Sequence, residues 1–403
     1  MPTPTIGDRT RKNNHNVYIL GAGFGVDAGL PTVANFLNQM RDTADWVAKE
    51  HRDDERNAVE KVLEFRHRAA GAGYRINVDL DNIEDLFSLA SLLPDTALTR
   101  DMQLAIGATL EYARFHSAPL EGRIRLRESP IWPITEAWKN AASRITAPGD
   151  GRDIHSSCYD YYAAVLAGRT SNTEQGRQNV VLTFNYDLLL ETSLGRLGIP
   201  FSYDLGTNGI EYEESAECLP ESRSGALSIL KLHGSQNWLI KGDGHLRVCG
   251  SYDSAIKGGG VPHVVPPTWE KSVTGLVRGL WDQAVAALRQ ATRIIVIGLS
   301  FRAIDAHFKY LLAAGLMENS SLRRIFVVNP AAKRLAPRIR SVIRADQFRY
   351  ETIELHDMKV HQFFANFEAL DRIGRATTHD SVLVTEIDGL RWEKGLDYTR
   401  KVQ

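Results

Sequence analysis

A short apolar run ending in closely spaced glycines constrains this chain more than any other feature: Val17-Tyr-Ile-Leu20, then Gly21-Ala22-Gly23-Phe24-Gly25-Val-Asp27-Ala-Gly-Leu30-Pro31. This is how a strand hands over to a tight turn. Glycine lacks a Cβ, so backbone N–H groups at 21, 23 and 25 can approach a diphosphate, and a helix after the turn would present its positive N-terminal end to the anion. Neither standard nucleotide motif is complete. Position 26 is valine, which breaks the dehydrogenase spacing G-x-G-x-x-G, and the Gly-Lys-Ser/Thr ending of a P-loop is missing.

Beyond Pro31 the apolar spacing turns helical, from Val33 to Met40 with Trp46 and Val47 on the same face. Helical patterns follow over Arg56–Ala69, Asn82–Leu93, Thr99–Phe115, Pro133–Ile145 and Ile154–Leu166. So long a helical block between two strands reads as an insertion. Strands resume at Asn179–Asp187, Leu227–Leu232, Arg293–Gly298, Arg324–Asn329 and Tyr350–Leu355, with helices at Leu188–Leu197, Leu276–Gln290, Ile304–Ala314 and from Pro330. The strands are continuously apolar rather than alternating, the mark of parallel strands covered on both faces. The expected fold is therefore α/β, a Rossmann-like doubly wound parallel sheet with a large helical insertion domain. The expected boundaries are a flexible arm over 1–16, a nucleotide-binding domain built from 17–31 and 178–375, the helical insert over 32–177 and a C-terminal tail over 376–403.

At 403 residues the length fits two or three domains. Lys and Arg (48) balance Asp and Glu (49), so no general attraction to nucleic acid or membrane is expected. No apolar run approaches the roughly 20 residues that span a bilayer, and the N-terminus is polar and basic, unlike a signal peptide; a cytoplasmic protein is expected. Cys158, Cys218 and Cys249 are scattered, without a C-x-x-C pair, which argues against a disulfide framework and a structural zinc. His263, Asp305 and His307 lack metal-ligand spacing. Trp132, Trp138, Trp281 and Phe115 suit core or subunit contacts. The basic run Arg323, Arg324, Lys333, Arg334, Arg338, Arg340 and Arg344 reads first as a solvated helix face, and second as a surface for nucleic acid or a partner.

In an open parallel sheet, ligands bind at the carboxyl ends of the strands. The strand-end residues are Gly21 and Gly23, Asn185 and Asp187, His233, Gly298 and Ser300, and Asn329. The glycine turn, Thr183-Phe-Asn185-Tyr-Asp187, His233-Gly234, Gly298-Leu-Ser300-Phe and Val328-Asn329-Pro330 resemble, in order, the motifs of the sirtuin (silent information regulator) superfamily. Asp81-Asn-Ile-Glu84-Asp-Leu-Phe-Ser88 is similar to an acidic helix start in bacterial sirtuin-like defence proteins. The resemblance implies NAD as substrate, bound across the sheet and cleaved at its nicotinamide bond. It also implies cofactor contacts from Gly21, Ala22, Gly23, Phe24, Gly25, Asp27, Leu30, Pro31, Thr183, Gly298, Ser300, Asn329 and Pro330, and roles at the reacting sugar for Asn185, Asp187 and His233.

Those three residue types suit the chemistry. Loss of nicotinamide leaves positive charge on the ribose, so the pocket must orient the sugar and a nucleophile while limiting bulk water. An asparagine amide can hold ribose hydroxyls and a water, a histidine can take a proton at neutral pH, and an aspartate can stabilise the developing charge. Plainer roles compete at each position. Asp187 can cap the helix after it, His233 can be a core or turn histidine, and Ser300 can cap a turn.

The chain departs from the protein deacylases of that family in two places. Thr32-Val33-Ala34 follows Leu30-Pro31 where a deacylase continues differently, and only Cys249 lies between His233 and Gly298, where deacylases carry a four-cysteine zinc module. Gly25 also stands where the family usually has serine. These departures favour an NAD⁺ glycohydrolase, without a metal, over a deacylase or ADP-ribosyltransferase; a non-catalytic nucleotide-sensing scaffold is the third possibility. The resemblance further implies a homo-oligomeric effector of antiphage abortive infection, similar to proteins paired with a HerA-type hexameric motor ATPase, with nucleic acid engaged only indirectly and no membrane.

Overall fold

The computed structural model describes residues 14–76, 78–116, 156–168, 177–223, 225–241, 245–265, 275–301, 306–343, 352–364 and 366. The expected helix over Pro133–Ile145, the tail over 376–403, Trp132, Trp138, Asp305 and Arg344 lie outside them, as do the side chains of Cys158 and His307.

Seven parallel strands form the main sheet in the order β11-β10-β9-β1-β2-β5-β3: β1 Asn14–Leu20, β2 Arg177–Thr183, β3 Phe201–Ser202, β5 Leu227–Lys231, β9 Arg293–Ile297, β10 Arg324–Val328 and β11 Thr352–His356. From β1 the sheet extends to one side through β2, β5 and β3, which the chain fills first, and to the other through β9, β10 and β11. The order reverses between β1 and β9, and a crevice opens above their carboxyl ends. Continuous apolarity has the anticipated cause, since Val17, Ile19, Ile295 and Val327 are all buried. At the opposite end a polar belt fixes the register: Asn16 Nδ2 donates to Asn179 Oδ1 (3.0 Å), and the fully buried Arg293 donates to Asn16 Oδ1 (3.2 Å). Strand β1 thus includes Asn14–Asn16, which the sequence assigns to the arm.

A second sheet, in the order β4-β7-β6-β8, consists of β4 Ile210–Tyr212, β6 Gly234–Ile240, β7 Leu246–Val248 and β8 Pro262–Val264. Strand β6 hides from a hydropathy reading because Ser235, Gln236 and Asn237 are polar yet buried. Two of them are paired within the sheet, Ser235 Oγ donating to Asn237 Oδ1 (2.7 Å) and Asn237 Nδ2 to the Cys249 carbonyl (2.7 Å).

Between β1 and β2, helices Phe36–Lys49, Asp53–Arg68, Ile83–Ser91 and Thr96–His116 enclose a core of their own around Met40, Val59, Val62, Phe87 and Met102. The sequence starts the first of these at Val33. It starts instead at Phe36, because Asn35 Oδ1 accepts from both the backbone N–H (2.8 Å) and the hydroxyl (2.9 Å) of Thr32 and closes a turn first. Helix Ser156–Leu166, assigned to the insert on sequence, packs with the sheet domain, its Tyr159, Tyr162 and Leu166 joining the core that contains β1 and β2. No helix among the described residues is long and apolar enough to cross a membrane.

Candidate active site

At the crevice the β1 turn and the β9 turn touch backbone to backbone. Gly21 N–H donates to the Ile297 carbonyl (2.9 Å) and Gly23 N–H to the Gly298 carbonyl (3.0 Å). A Cβ on Gly21 would lie 2.8 Å from Gly298 O, one on Gly23 2.7 Å from Gly298 Cα, and one on Gly298 2.5 Å from Gly23 C; Gly298 also has φ +70°. These glycines are needed so that two strand ends can meet. That corrects the expectation that N–H groups 21 and 23 face an anion, since both are spent inside the fold. The α-helix expected to aim at the ligand is a short 3₁₀ turn, Ala22–Ala28, closed by Gly29 at φ +75°.

Beside this junction the segment Phe184–Asp187 leaves β2. Thr183 Oγ1 accepts from Asn185 N–H (3.1 Å), and Asn185 Nδ2 donates to the Gly21 carbonyl (3.1 Å). The asparagine is therefore tied to both neighbouring strand ends. Asp187 Oδ1 accepts from Leu189 N–H (3.0 Å) at the start of helix Leu189–Leu197, so one of its oxygens is engaged there, although the N-cap position itself is Leu188. Burial pushes the Asp187 carboxyl above its usual range, with nearby Lys231 pulling it down and Glu191 adding to the rise.

His233 lies in the two-residue turn from β5 to β6, where its 9% exposure leaves it nearly buried. Its imidazole lies against Phe184 (ring centroids 5.0 Å apart) and near Tyr186 (6.3 Å). The next residue must be glycine: Gly234 has φ +84°, and a Cβ there would run into the His263 carbonyl.

Together these elements line a cavity of about 470 Å³ at the point where strand order reverses, a volume typical of ligand sites. It gathers Asn185, Asp187 and His233 with Gly21, Ala22, Gly23, Asp27, Leu30, Pro31, Gly298, Ser300, Asn329 and Pro330. Three expected contacts are not brought to it. Phe24 turns inward, edge-on to Tyr159 (5.3 Å), whose hydroxyl donates to the Phe24 carbonyl. Gly25 packs under Leu30, and Thr183 acts one step back, through Asn185. Two others line the cavity but have partners already. Asp27 accepts from His361 N–H (2.9 Å) and contacts its ring (3.2 Å), while Asn329 donates to the Leu299 carbonyl (3.0 Å) and accepts from Ala331 N–H (2.8 Å).

The opposite wall comes from the insert, through Phe36, Ile83, Glu84, Phe87, Ile106 and Leu110. Helix Ile83–Ser91 is aimed by Asn82, whose Oδ1 accepts from Glu84 N–H (2.9 Å). On sequence Ile83, Glu84 and Phe87 belong to the acidic helix start, while Phe36, Ile106 and Leu110 look like ordinary helix core. Lys359 and Val360 add a rim on helix Val360–Phe364 and its approach, for which the sequence carries no signal. Among the described residues no three His, Cys, Asp or Glu side chains are gathered as a metal site requires. Burial raises the Cys249 thiol to about 11 and Cys218 to about 12. Burial lowers His263 to about 4, which leaves it neutral near neutral pH. Of the basic run, Lys333, Arg334 and Arg338 form an exposed face on helix Ala332–Val342, whereas Arg324 lies 3.9 Å from Glu354.

Residues 179–353 match the family model described as a SIR2-like domain. No curated protein sequence matches the chain. Among solved structures it is similar to a Sir2 homologue–NAD complex (14% identity, TM-score 0.40, 91% of each chain covered). It is also similar to Sir2Tm bound to a propionylated peptide (11% identity, TM-score 0.37, 91% of this chain and 97% of the other). The fold itself rests on strand order and register rather than on these distant likenesses.

Proposed function

We propose that this chain, with its SIR2-like domain, is an NAD⁺ glycohydrolase releasing nicotinamide and ADP-ribose. The observation that carries this is the convergence of Asn185, Asp187 and His233 on one cavity at the strand-order reversal, faced by an apolar wall. The residues suit the substrate. Asn185, held by its donation to Gly21, orients ribose hydroxyls and a water; His233 takes the proton from the nucleophile; Asp187 opposes the positive charge that grows on the sugar as nicotinamide departs. Phe36, Phe87, Ile106 and Leu110 keep bulk water away, so these electrostatic terms act in a low dielectric.

Hydrolysis is favoured over deacylation by strand β6, which leaves His233. β8 pairs with it beside His233, at Gly234 and Ser235, β7 takes its other edge over Trp238–Ile240, and between them Gln236 N–H donates to the Tyr186 carbonyl (3.0 Å) while the Asn237 carbonyl accepts from Cys249 N–H (2.9 Å), which leaves little free edge for an added peptide strand. The cleavage assay is nicotinamide release from NAD⁺ by the purified chain, alone and with activators; intact NAD⁺ throughout, with wild type no better than His233→Ala, removes the proposal. Tight NAD⁺ binding that survives Asn185→Ala without product would mark a nucleotide-sensing scaffold instead.

Within the same reading the chain acts in the cytoplasm as the effector of an antiphage system, assembled with copies of itself and with a HerA-type motor ATPase. Support here is the sequence resemblance alone. Co-expression with such an ATPase followed by mass measurement tests the assembly, and separate elution of the two chains rejects it.

A further inference from the structure

Lys231 is the last residue of the buried strand Leu227-Ser-Ile-Leu-Lys231, the one charged side chain in it, and is 1% exposed. A lysine is almost never fully buried without partners. Its Nζ donates to Glu191 Oε1 (2.8 Å) and to the main-chain carbonyls of Asp187 and Tyr186 (3.5 Å for the latter). Glu191 is itself buried and accepts from the Tyr203 hydroxyl (3.3 Å). Both carbonyls belong to the segment that carries Asn185 and Asp187, while Lys231, on β5, lies two residues before His233. One ammonium group thus ties the two separate strand ends of the site to each other.

We infer that the buried Lys231–Glu191 pair is a positioning device for the Asn185–Asp187 segment, fixing it relative to His233. A buried ion pair is a weak source of stability, because desolvation offsets its Coulomb attraction, and its replacement by apolar groups is often neutral. What apolar groups cannot replace is donation to the Asp187 carbonyl, since the Tyr186 carbonyl also accepts from Gln236 N–H (3.0 Å). The pair acts through Asn185 and Asp187 and does not itself touch substrate.

The inference rests on the proposed glycohydrolase, and its test separates the two. Lys231→Met alone strands the Glu191 carboxylate and is expected to weaken the fold, so the informative protein is the double variant Lys231→Met/Glu191→Leu. It is expected to melt close to wild type and to keep KM within a few-fold, while kcat falls about 100-fold, the scale set by a small misplacement of reacting groups. Independently of turnover, amide hydrogen exchange in the 184–188 segment of the folded double variant is expected to speed up at least about tenfold. Unchanged exchange in a stable double variant, or kcat within about threefold of wild type, overturns the inference. If wild-type protein leaves NAD⁺ intact, the glycohydrolase fails and the exchange rates alone decide for or against the positioning role.

Discussion

The side-chain amide of Asn185 donates to the main-chain carbonyl of Gly21 across 3.1 Å, joining the end of β2 to the first residue of the glycine turn. A candidate catalytic group is thereby part of the scaffold. Asn185→Ala is expected to abolish nicotinamide release and also to destabilise the chain by about 1 kcal/mol, the worth of one such hydrogen bond. Asn185→Asp keeps the size but replaces the donor with a carboxylate facing a carbonyl, and is expected to cost more. Chromatographic product analysis and urea unfolding check the two halves.

The three glycines at the β1–β9 junction should respond differently from Gly25. Gly298→Ala forces a Cβ against the Gly23 backbone at φ +70° and is expected to prevent folding or to cost more than about 3 kcal/mol. Gly25→Ser meets the Leu30 side chain first, at 2.8 Å, a side chain at the cavity rather than backbone. A cost near 1 kcal/mol is expected there, on the scale of mild overpacking. Soluble yield and denaturant midpoints distinguish the two.

Asp187 couples the proposed chemistry to pH. Its carboxyl is raised by burial, so the folded chain holds this proton more tightly than the unfolded one. The associated stability is full below the unfolded value of about 4 and is lost as pH rises through the higher folded value. Asp187→Asn retains an oxygen for Leu189 N–H without the charge. It is expected to be more stable than wild type near neutral pH, with the difference closing as pH falls towards about 4, while turnover drops roughly 100-fold. Wild-type kcat is expected to rise through that same raised carboxyl on its acid limb. Unfolding curves across pH and a pH–rate profile test both signs.

Asp27 and His361 separate a backbone contact from a side-chain contact. His361→Ala removes the ring but keeps the N–H that Asp27 Oδ2 accepts, so a cost below about 1 kcal/mol is expected for this partly exposed pair. Asp27→Ala leaves that N–H without its acceptor and is expected to cost about 1–3 kcal/mol and to loosen helix Val360–Phe364. Thermal unfolding together with hydrogen exchange over 360–364 checks the order.

Much of this site was legible because strand ends in a parallel sheet are few, and the polar residues on them stand out against apolar runs. Asn185, His233 and Asn329 stand out in the sequence in that way, and all three line the cavity. The work done by Gly21 and Gly23 was not legible, because what fills the space beside them is Gly298, brought close only by strand pairing over hundreds of residues. Phe24 carried no sign that it faces Tyr159 rather than a ligand. Ile83, Phe87, Ile106 and Leu110 obey the same helical periodicity as the insert's own core, so nothing in their spacing marks them as a cavity wall. Lys231 did leave a trace, a lone lysine in a mostly apolar strand, although its partners could not be read without the fold.

The pairing of β1 with β9 has a consequence for synthesis. Asn16 and Arg293 hydrogen-bond across a sequence separation of 277 residues, so during synthesis β1 waits for β2, β3 and β5 and then for β9 before its second edge is closed. Contacts of such long range form late. A nascent or prematurely terminated chain that lacks β9 also lacks Gly298 and the floor of the cavity beside the glycine turn. If the proposed glycohydrolase holds, a chain truncated before β9 is expected to release no nicotinamide.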